Sequence, residues 1–160
     1  MTSTISVSPT TGMNKFERIK AEKDGLALKA ELERIASLGW ENLEEGDRDY
    51  RLKWLGLFFR PVSPGKFMMR LRTPGGILTS HKLRVLAGIV QQYGDDGNAD
   101  ITTRQNLQLR GIRIEDTPDI FVRLAEAGMT SVQSGMDNVR NITASPVAGL
   151  DAGELIDVRD

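Results

Sequence analysis

Apolar and polar residues alternate along a stretch that begins at Phe67, and this alternation predicts a β-strand. Met69 and Leu71 would lie on one face of that strand, because successive side chains point to opposite sides. Arg70 and Arg72 would then share the other face. A Pro-Gly-Gly sequence follows and favours a tight turn. One face of the strand is therefore apolar, and the other carries two guanidinium groups.

A second alternating stretch is long enough for two strands. We expect strands over 100–102 and 106–112, with a bend at 103–105 between them. Leu107 and Leu109 would lie on the apolar face. The residues expected on the polar face are Arg104, Asn106, Gln108 and Arg110. Both stretches thus predict a sheet that is apolar on one side and rich in arginine and amide side chains on the other.

Helical periodicity follows each of these regions. Thr79 or Ser80 is expected to begin the first helix, and Gly94 to end it. Thr117 is expected to cap the second helix, with Pro118 at its first position and Gly128 at its end. The side chains expected to face the core from these helices are Leu83, Leu86, Ala87, Val90, Phe121, Leu124 and Ala125.

The order of these elements predicts a fold. A closing strand over 137–145 would complete the order β-α-β-β-α-β, which is that of a ferredoxin-like domain. We therefore expect the α+β class, with the first and third strands adjacent and both helices on one face of the sheet. The arginine and amide side chains would line the open face.

The residues before this region predict a helical arm. Asn14 can cap a helix whose periodicity is interrupted near Asp24 and then resumes as far as Gly39. Residues 41–51 are acidic and polar, which predicts irregular structure. The apolar run 54–59 predicts a buried extended segment.

These patterns divide the chain into three parts. Residues 1–13 are rich in Ser and Thr and predict a disordered lead, with none of the apolar character of a secretory signal. Residues 14–65 would form the helical arm and an extended linker. Residues 66–160 would form the ferredoxin-like half-domain.

The composition makes the arginine face a local feature. The chain of 160 residues has a net charge of −1, whereas nucleic-acid binders usually carry a broad basic excess. It contains no cysteine and only one histidine, His81, so disulfides are excluded and a zinc site made by this chain alone is disfavoured. No apolar run approaches the ~20 residues that a membrane-spanning helix needs.

Several arginines on one sheet face favour an anionic partner, because a guanidinium is always charged and binds carboxylates or phosphates through paired hydrogen bonds. The alternative is that these arginines pair with acidic residues elsewhere in the chain. Arg140 is a further candidate, although a solvated arginine after a loop gives the same pattern. His81 lies near a helix start, where a surface or capping role is favoured over catalysis.

Two other classes of protein use an open sheet face. An RNA-binding module places aromatic residues on its central strands to stack on bases, whereas Arg, Asn, Gln and Leu stand at those positions here. A regulatory domain that binds a small anion is the other alternative, and such a module would stand alone.

Three segments in this order resemble the N-terminal part of the nitrite and sulfite reductases that use sirohaem. They are Phe-Met-Met-Arg-Leu-Arg-Thr-Pro-Gly-Gly at 67–76, Thr-Thr-Arg-Gln at 102–105 and Asn-Val-Arg-Asn at 138–141. Upstream, 51–58 resembles the ferredoxin-dependent nitrite reductases of cyanobacteria and plants more than the sulfite reductases. An assimilatory sulfite reductase remains the alternative within this family.

The resemblance implies the six-electron reduction of nitrite to ammonia at sirohaem, with electrons from reduced ferredoxin. Arg70 and Arg140 match the family's arginines that contact the iron-bound anion, and Arg104 matches a contact to a sirohaem carboxylate. The other residues implied as cofactor contacts are Arg72, Thr102, Thr103, Gln105, Gln108 and Arg110.

The chain also departs from the family. The cysteines that ligate the family's 4Fe-4S cluster are absent, as is the second half that would supply them. We therefore expect a fragment of a longer enzyme that is inactive alone. The expected partners are nitrite and reduced ferredoxin, with no nucleic acid and no membrane. The expected location is the cytoplasm, with the chloroplast stroma as the alternative.

Overall fold

The computed structural model describes residues 12–159, so all but two residues of the expected disordered lead over 1–13 lie outside the described part. The helices are α1 Lys15–Glu22, α2 Leu32–Leu38, α3 Glu45–Asp49, α4 Ser80–Tyr93 and α5 Thr117–Glu126. The strands are β1 Leu57–Phe59, β2 Lys66–Arg70, β3 Ala99–Ile101 and β4 Leu107–Arg113. Within these residues no helix combines the length and the apolar character needed to cross a membrane.

The four strands form one antiparallel sheet in the order β1-β2-β4-β3. The expected neighbours β2 and β4 are adjacent, with Arg70 opposite Gln108. The two expected strands of the second stretch are β3 and β4, joined by the expected bend. The α+β, ferredoxin-like class is therefore confirmed.

The predicted closing strand over 137–145 does not form, because these residues make a loop that binds to the ends of other segments. The backbone N–H of Gly75, for example, donates to the carbonyl of Ile142 at 2.9 Å. Strand β1 occupies the sheet edge beside β2 instead, and pairs Leu57 with Met69. The predicted buried extended segment over 54–59 is thus confirmed at β1, whereas its first part is a 3₁₀ turn.

Strand β4 contains a β-bulge that reverses its pattern of alternation. Leu109 pairs with Met69 and Ile112 pairs with Phe67, so two residues of β4 oppose a single residue of β2. Gly111 has φ +74°, a left-handed conformation that suits glycine in such a bulge. The bulge keeps the residues on both sides of it in the core.

The core lies between the sheet, the two long helices and the helical arm. Met69, Leu71, Leu107 and Leu109 are buried as predicted. The arm contributes to the same cluster through apolar side chains that include Leu28, Leu32, Ile35, Leu43 and Leu52. Sheet, helices and arm therefore share one apolar core.

The helices are rotated relative to the prediction. On α4 the stripe that faces the core is Leu86, Ile89 and Val90, with Tyr93 partly buried beyond it. The predicted set and the observed stripe both follow the i, i+3, i+4, i+7 spacing of a helix face, but the observed stripe begins three residues later, at Leu86. Leu83 and Ala87 are exposed.

Helix α5 departs from the prediction in the same way. Ile120 and Leu124 are buried, whereas Phe121 is partly buried and Ala125 is exposed. Ile120 and Leu124 are four residues apart and therefore lie on one helix face. The predicted inward position is therefore confirmed for Leu124 and in part for Phe121, which packs against the core, and was wrong for Ala125.

The helix ends largely follow the sequence. The side chains of Asn14 and Thr79 accept from the backbone N–H groups of Glu17 and Lys82, as N-caps do. Gly39 and Gly94 follow the last residues of α2 and α4.

Two of the local predictions were wrong. Thr117 lies inside α5 rather than capping it, and its hydroxyl donates to the carbonyl of Ile114 at 2.7 Å. Residues 41–51 are not irregular, because α3 forms there. Asp47 of that helix and Arg51 are both buried and pair at 2.9 Å, which anchors the segment.

Candidate anion and cofactor site

Arg70 lies at the end of β2, where its side chain is partly buried between two other segments. Its Nη1 donates to the carbonyl of Ser134 at 3.2 Å, and the hydroxyl of Ser134 donates back to the carbonyl of Arg70 at 2.8 Å. Its guanidinium carbon lies 4.6 Å from the centre of the Phe58 ring on β1. Two neighbouring groups, the carbonyl of Ser134 and the ring of Phe58, therefore contact this guanidinium, and the hydroxyl of Ser134 holds the backbone of the same residue.

Arginines that are distant in sequence converge on this position. Burial of the guanidinium lowers the pKa of Arg70 below its ordinary value, and the positive charges of Arg140, Arg104 and Arg110 lower that pKa further. The two predicted catalytic residues, Arg70 and Arg140, are thus brought into one electrostatic cluster together with Arg104 and Arg110. We call these four residues the arginine cluster.

The arginine cluster is only partly neutralised. Arg110 forms an ion pair with Asp100 on β3 and donates to Gln108 at 3.3 Å. Among residues 12–159, Arg70, Arg104 and Arg140 form no ion pair with any carboxylate. Pairing within the chain therefore accounts for Arg110, and three positive charges are left for an anion from elsewhere.

Arg72 lies beyond the end of β2 and has different neighbours. Its backbone N–H donates to the carbonyl of Thr130 at 2.9 Å, and its guanidinium donates to the carbonyl of Val139. Arg72 and Lys82 line a cavity of about 250 Å³ together with Asn141. Arg72 is therefore linked to the arginine cluster by the loop that carries Arg140. Its charge is not one of those that shift the pKa of Arg70.

The turn between β3 and β4 presents Arg104. The hydroxyl of Thr102 accepts from the N–H of Asn106 at 3.1 Å, and the carbonyl of Thr102 accepts from the N–H of Gln105 at 2.9 Å. Thr103 and Arg104 are exposed at the tip of this turn. Both are accessible to a bound molecule.

The amide side chains predicted as cofactor contacts are already engaged. Gln105 donates to the carbonyl of Ala144 at 2.8 Å and accepts from its N–H at 2.9 Å. Gln108 lies opposite Arg70 and accepts from Arg110. Gln105 therefore holds the C-terminal segment, and Gln108 orients a member of the arginine cluster.

Two asparagines form a junction that the sequence interpretation missed. Asn106 is 1% exposed, and its Oδ1 accepts from the N–H of Thr73 at 3.1 Å while its Nδ2 donates to the carbonyl of Arg140 at 3.2 Å. Asn141 donates from Nδ2 to the carbonyls of Thr73 and Arg104, each at 2.8 Å. The junction joins three segments that carry arginines.

The prediction that Asn106 lines the open face was therefore wrong, because both polar atoms of its side-chain amide form hydrogen bonds with backbone groups. The only sequence signal for this junction is that each asparagine lies one or two residues from an arginine, which is too weak to identify it. The Oδ1 atom of Asn141 is buried and has no hydrogen-bond donor among the described residues. A buried acceptor of this kind is normally satisfied by water or a bound molecule.

The described residues suit an anion better than a metal ion. Three arginines without carboxylate partners provide paired donors for carboxylates, and two of them are exposed. Within residues 12–159 no group of three or more His, Cys, Asp or Glu residues could hold a metal ion. The chain's own chemistry is thus that of an anion-binding face.

The chain is similar in sequence to a described domain and to named proteins. Residues 60–127 match the model of the nitrite/sulfite reductase ferredoxin-like half domain. The chain is 69% identical over 99% of its length to the ferredoxin–nitrite reductase of Leptolyngbya laminosa and 61% identical over 96% to that of Synechococcus elongatus. It is 47% identical over 92% of its length to the chloroplastic ferredoxin–nitrite reductase of Arabidopsis thaliana.

A solved structure shares the fold. The Mycobacterium tuberculosis NirA protein superposes on 90% of this chain with a TM-score of 0.81 and 30% sequence identity, and the match covers 29% of the NirA chain. The chain spans about 30% of the length of the curated relatives it matches, with 31% of the Leptolyngbya protein and 27% of the Arabidopsis protein covered. The chain is therefore similar over nearly all of its length to part of these ferredoxin–nitrite reductases, and its residues 60–127 match one ferredoxin-like half domain of the nitrite and sulfite reductases.

Proposed function

We propose that this chain supplies the arginine-bearing part of the active site in a ferredoxin–nitrite reductase, which reduces nitrite to ammonia. The observation that carries this proposal is that the junction of Asn106 and Asn141 brings together the segments of Arg70, Arg104 and Arg140, none of which has a carboxylate partner among the described residues. Such a cluster is unfavourable unless an anion is bound. The names of the relatives supply the reaction.

Within this proposal, Arg70 and Arg140 bind the substrate anion. Their positive charge attracts nitrite, and their N–H groups donate hydrogen bonds to its oxygen atoms. Those donors also stabilise negative charge that develops on oxygen as an N–O bond breaks. The partial burial of Arg70 strengthens its interaction with an anion, because water screens a buried charge less.

Arg104 belongs to the cofactor side of the site. It stands exposed at the tip of its turn, where it can bind a carboxylate of sirohaem, and Thr103 beside it adds a hydroxyl donor. Arg72, Thr102, Gln105, Gln108 and Arg110 are the remaining proposed contacts. Sirohaem, when bound, supplies the iron at which the anion is reduced. A 4Fe-4S cluster would be ligated by residues outside this chain, since the chain has no cysteine.

The remaining parts of the proposal rest on the relatives. Reduced ferredoxin is the proposed electron donor because the names of the relatives include it. The proposed location is the cytoplasm, with the chloroplast stroma as the alternative because several matched relatives are named chloroplastic. The proposed division of the chain is a lead at 1–13, an arm and linker at 14–65, and the half-domain at 66–160.

The test uses the full-length enzyme that contains this chain. Arg70→Ala and Arg140→Ala should each lower nitrite turnover by about 10²–10³-fold, the usual effect of removing one oxyanion donor. Sirohaem absorbance should remain. Arg104→Ala should instead lower sirohaem occupancy. Arg84→Ala is the matched control, since Arg84 is an exposed arginine on α4 outside the arginine cluster.

Nitrite turnover tests the role of Arg70 and Arg140, and sirohaem loading tests the role of Arg104. Near-normal nitrite turnover in both the Arg70 and Arg140 variants would overturn their assignment, and full sirohaem loading of the Arg104 variant would overturn its role. Turnover measured with sulfite in parallel decides between nitrite and sulfite reductase. We expect nitrite to be preferred, because the curated relatives matched by this chain are named nitrite reductases.

A further inference from the structure

We propose that Phe58 and Ser134 are positioning residues for Arg70, and that they hold its guanidinium in place against the repulsion of the other arginines. This inference rests on the proposed function, in which Arg70 contacts the substrate anion. Neither residue carries a charge or belongs to the predicted site. Their role follows from what they contact.

Phe58 holds the guanidinium by a cation–π contact. It lies on β1 opposite Met68, so it is a diagonal neighbour of Arg70 on the same sheet face. The guanidinium carbon lies 4.6 Å from the centre of the ring, within the range of a cation–π contact. A guanidinium held against an aromatic ring loses conformational freedom, which limits the directions in which its N–H groups can donate.

Ser134 binds both the backbone and the side chain of Arg70. Its hydroxyl donates to the backbone carbonyl of Arg70 at 2.8 Å, and its own carbonyl accepts from Nη1 of Arg70 at 3.2 Å. Ser134 is 0% exposed, so water does not compete for these hydrogen bonds. The backbone N–H of Arg70 donates to the carbonyl of Gly56 at 2.9 Å, which ties the residue to β1 as well.

The loop that carries Ser134 is packed closely enough to act as a support. A Cβ atom added to Gly56 would lie 2.4 Å from the carbonyl oxygen of Ser131 and 2.7 Å from the hydroxyl of Ser134. A Cβ added to Gly135 would lie 2.7 Å from the edge of the Phe58 ring. The two glycines therefore allow the loop, the strand and the aromatic ring to meet without a gap.

Electrostatics explains why such a support is needed. Arg140, Arg104 and Arg110 all act on Arg70 with the same sign, and no carboxylate among residues 12–159 pairs with Arg70. An unrestrained arginine side chain would turn away from like charges toward water. Phe58 and Ser134 oppose this movement with contacts that add no negative charge, so the full positive potential remains available to the anion.

The chain offers matched controls for both residues. Phe59 is the next residue on β1 and also lies beside an arginine, with the guanidinium carbon of Arg48 4.7 Å from its ring centre. Ser131 lies in the same loop as Ser134, is 1% exposed, and donates to the carbonyl of Leu55 at 2.7 Å. Phe59→Leu and Ser131→Ala therefore remove the same groups without touching Arg70.

The first measurement is steady-state kinetics of the full-length holoenzyme. Phe58→Leu should lower kcat/KM for nitrite by about 2–30-fold, the range expected for a cation–π contact. The loss should fall mainly on kcat, as for Arg70→Ala, and leave the KM for reduced ferredoxin unchanged. Ser134→Ala should act in the same direction, and Phe58→Trp should restore wild-type kinetics because it keeps an aromatic face.

The second measurement does not depend on turnover. Phenylglyoxal modifies accessible arginines, and peptide mass spectrometry reports the rate for each residue. Modification of Arg70 should be several times faster in Phe58→Leu and Ser134→Ala than in the wild type, and unchanged in Phe59→Leu and Ser131→Ala. In an Arg70→Ala background, Phe58→Leu should cause no further loss of kcat/KM, because the residue through which it acts is gone.

The outcomes distinguish this inference from the proposed function. If Arg70→Ala abolishes turnover while the Phe58 and Ser134 variants match their controls in both measurements, the positioning role is overturned and the proposed function stands. If Arg70→Ala reduces nitrite at the wild-type rate, the proposed role of Arg70 in binding the anion is overturned, and the positioning role with it. A kinetic loss in Phe58→Leu that persists in the Arg70→Ala background also overturns the positioning role.

Discussion

Asn141 donates a hydrogen bond from its side-chain Nδ2 to the backbone carbonyl of Arg104 at 2.8 Å. The same Nδ2 group donates to the carbonyl of Thr73 at 2.8 Å, so one amide bridges the end of the first arginine-bearing strand and the turn before β4. Arg140 precedes Asn141 directly. The proposed substrate side and cofactor side of the site are therefore connected by a single side chain.

We predict that Asn141→Ala loosens this connection. The carbonyls of Thr73 and Arg104 would lose a donor, which lowers the free energy of unfolding by about 1–3 kcal/mol. Amide hydrogen exchange at 103–105 should become faster, and this is the measurement that checks the prediction. Asn138→Ala is the control, because Asn138 donates only to the nearby carbonyl of Gly135. Equal exchange at 103–105 in both variants would contradict the role of Asn141.

The sequence predicted the parts of this fold that depend on strict alternation. Met69 and Leu71 alternate with Arg70, which predicts a strand, and both apolar side chains are buried as expected. Asn106 was placed wrongly on the open face, because an amide that binds backbone groups has the same sequence pattern as one that binds a ligand. The difference lies in contacts from segments distant in sequence, such as the loop that carries Arg140.

The site was predicted less completely than the fold. The residues 137–145 have enough β-forming character to suggest a strand, but their asparagine side chains bind backbone groups of other segments and compete with sheet pairing. The supports of Arg70 were also missed, because Phe58 and Ser134 lie 12 and 64 positions away from it in sequence and nothing local links them.

We predict that Gly111→Ala destabilises the sheet. Gly111 has φ +74°, and an added Cβ would lie 2.2 Å from the carboxyl carbon of Asp95. Strain in the left-handed conformation costs about 1–3 kcal/mol, and the clash adds to it. Gly97→Ala is the control, since Gly97 has φ +65° but nothing within 4 Å of an added Cβ. Urea unfolding should show a larger loss for Gly111→Ala, and equal losses would show that the contact with Asp95 is unimportant.

The pH dependence of stability should change in Asp116→Asn. Burial raises the pKa of Asp116 above its ordinary value, the charge of Arg113 opposes this, and Glu115 and Asp119 add to it. A raised folded-state pKa means that this group favours folding at pH below the ordinary value of about 3.9, and that the benefit is lost as pH rises through the raised value. The stability of Asp116→Asn relative to the wild type should therefore increase from pH 3 to pH 7.

Thermal unfolding of both proteins across this pH range checks the prediction. Asp96→Asn is the control, because it removes the same charge from an exposed loop residue. The dipole at the helix N-terminus beside Asp116 favours the ionised carboxylate, whereas burial favours the neutral carboxyl group. A relative stability that falls with rising pH would show that the dipole outweighs burial at this position.

Arg51 should be essential for anchoring the helical arm. It is 2% exposed, pairs with Asp47 at 2.9 Å and donates twice to the carbonyl of Ile19 in α1. Arg51→Met should lower the free energy of unfolding by about 3–5 kcal/mol, because it leaves the buried carboxylate of Asp47 with Lys23 alone and removes both hydrogen bonds to Ile19. Arg48→Met, which breaks a more exposed pair with Asp49, should cost about 1 kcal/mol or less. Urea unfolding distinguishes these values.

Arg140 should contribute to function at the expense of stability. It is exposed, and its charge acts on Arg70 with the same sign. Arg140→Gln should therefore leave the free energy of unfolding unchanged or raise it by up to about 0.5 kcal/mol, in the usual range for a surface substitution. Salt screens repulsion between exposed charges, so the wild type should gain more stability than Arg140→Gln when the salt concentration is raised.

Urea unfolding at low and high sodium chloride measures both effects. Arg84→Gln is the control, because it removes an exposed arginine that is not among the charges acting on Arg70. A stability loss in Arg140→Gln, or a salt response equal to that of the wild type, would show that Arg140 does not repel its neighbours in the folded chain. The predicted result would instead mean that this arginine is kept for the anion it binds, since it contributes nothing to the stability of the fold.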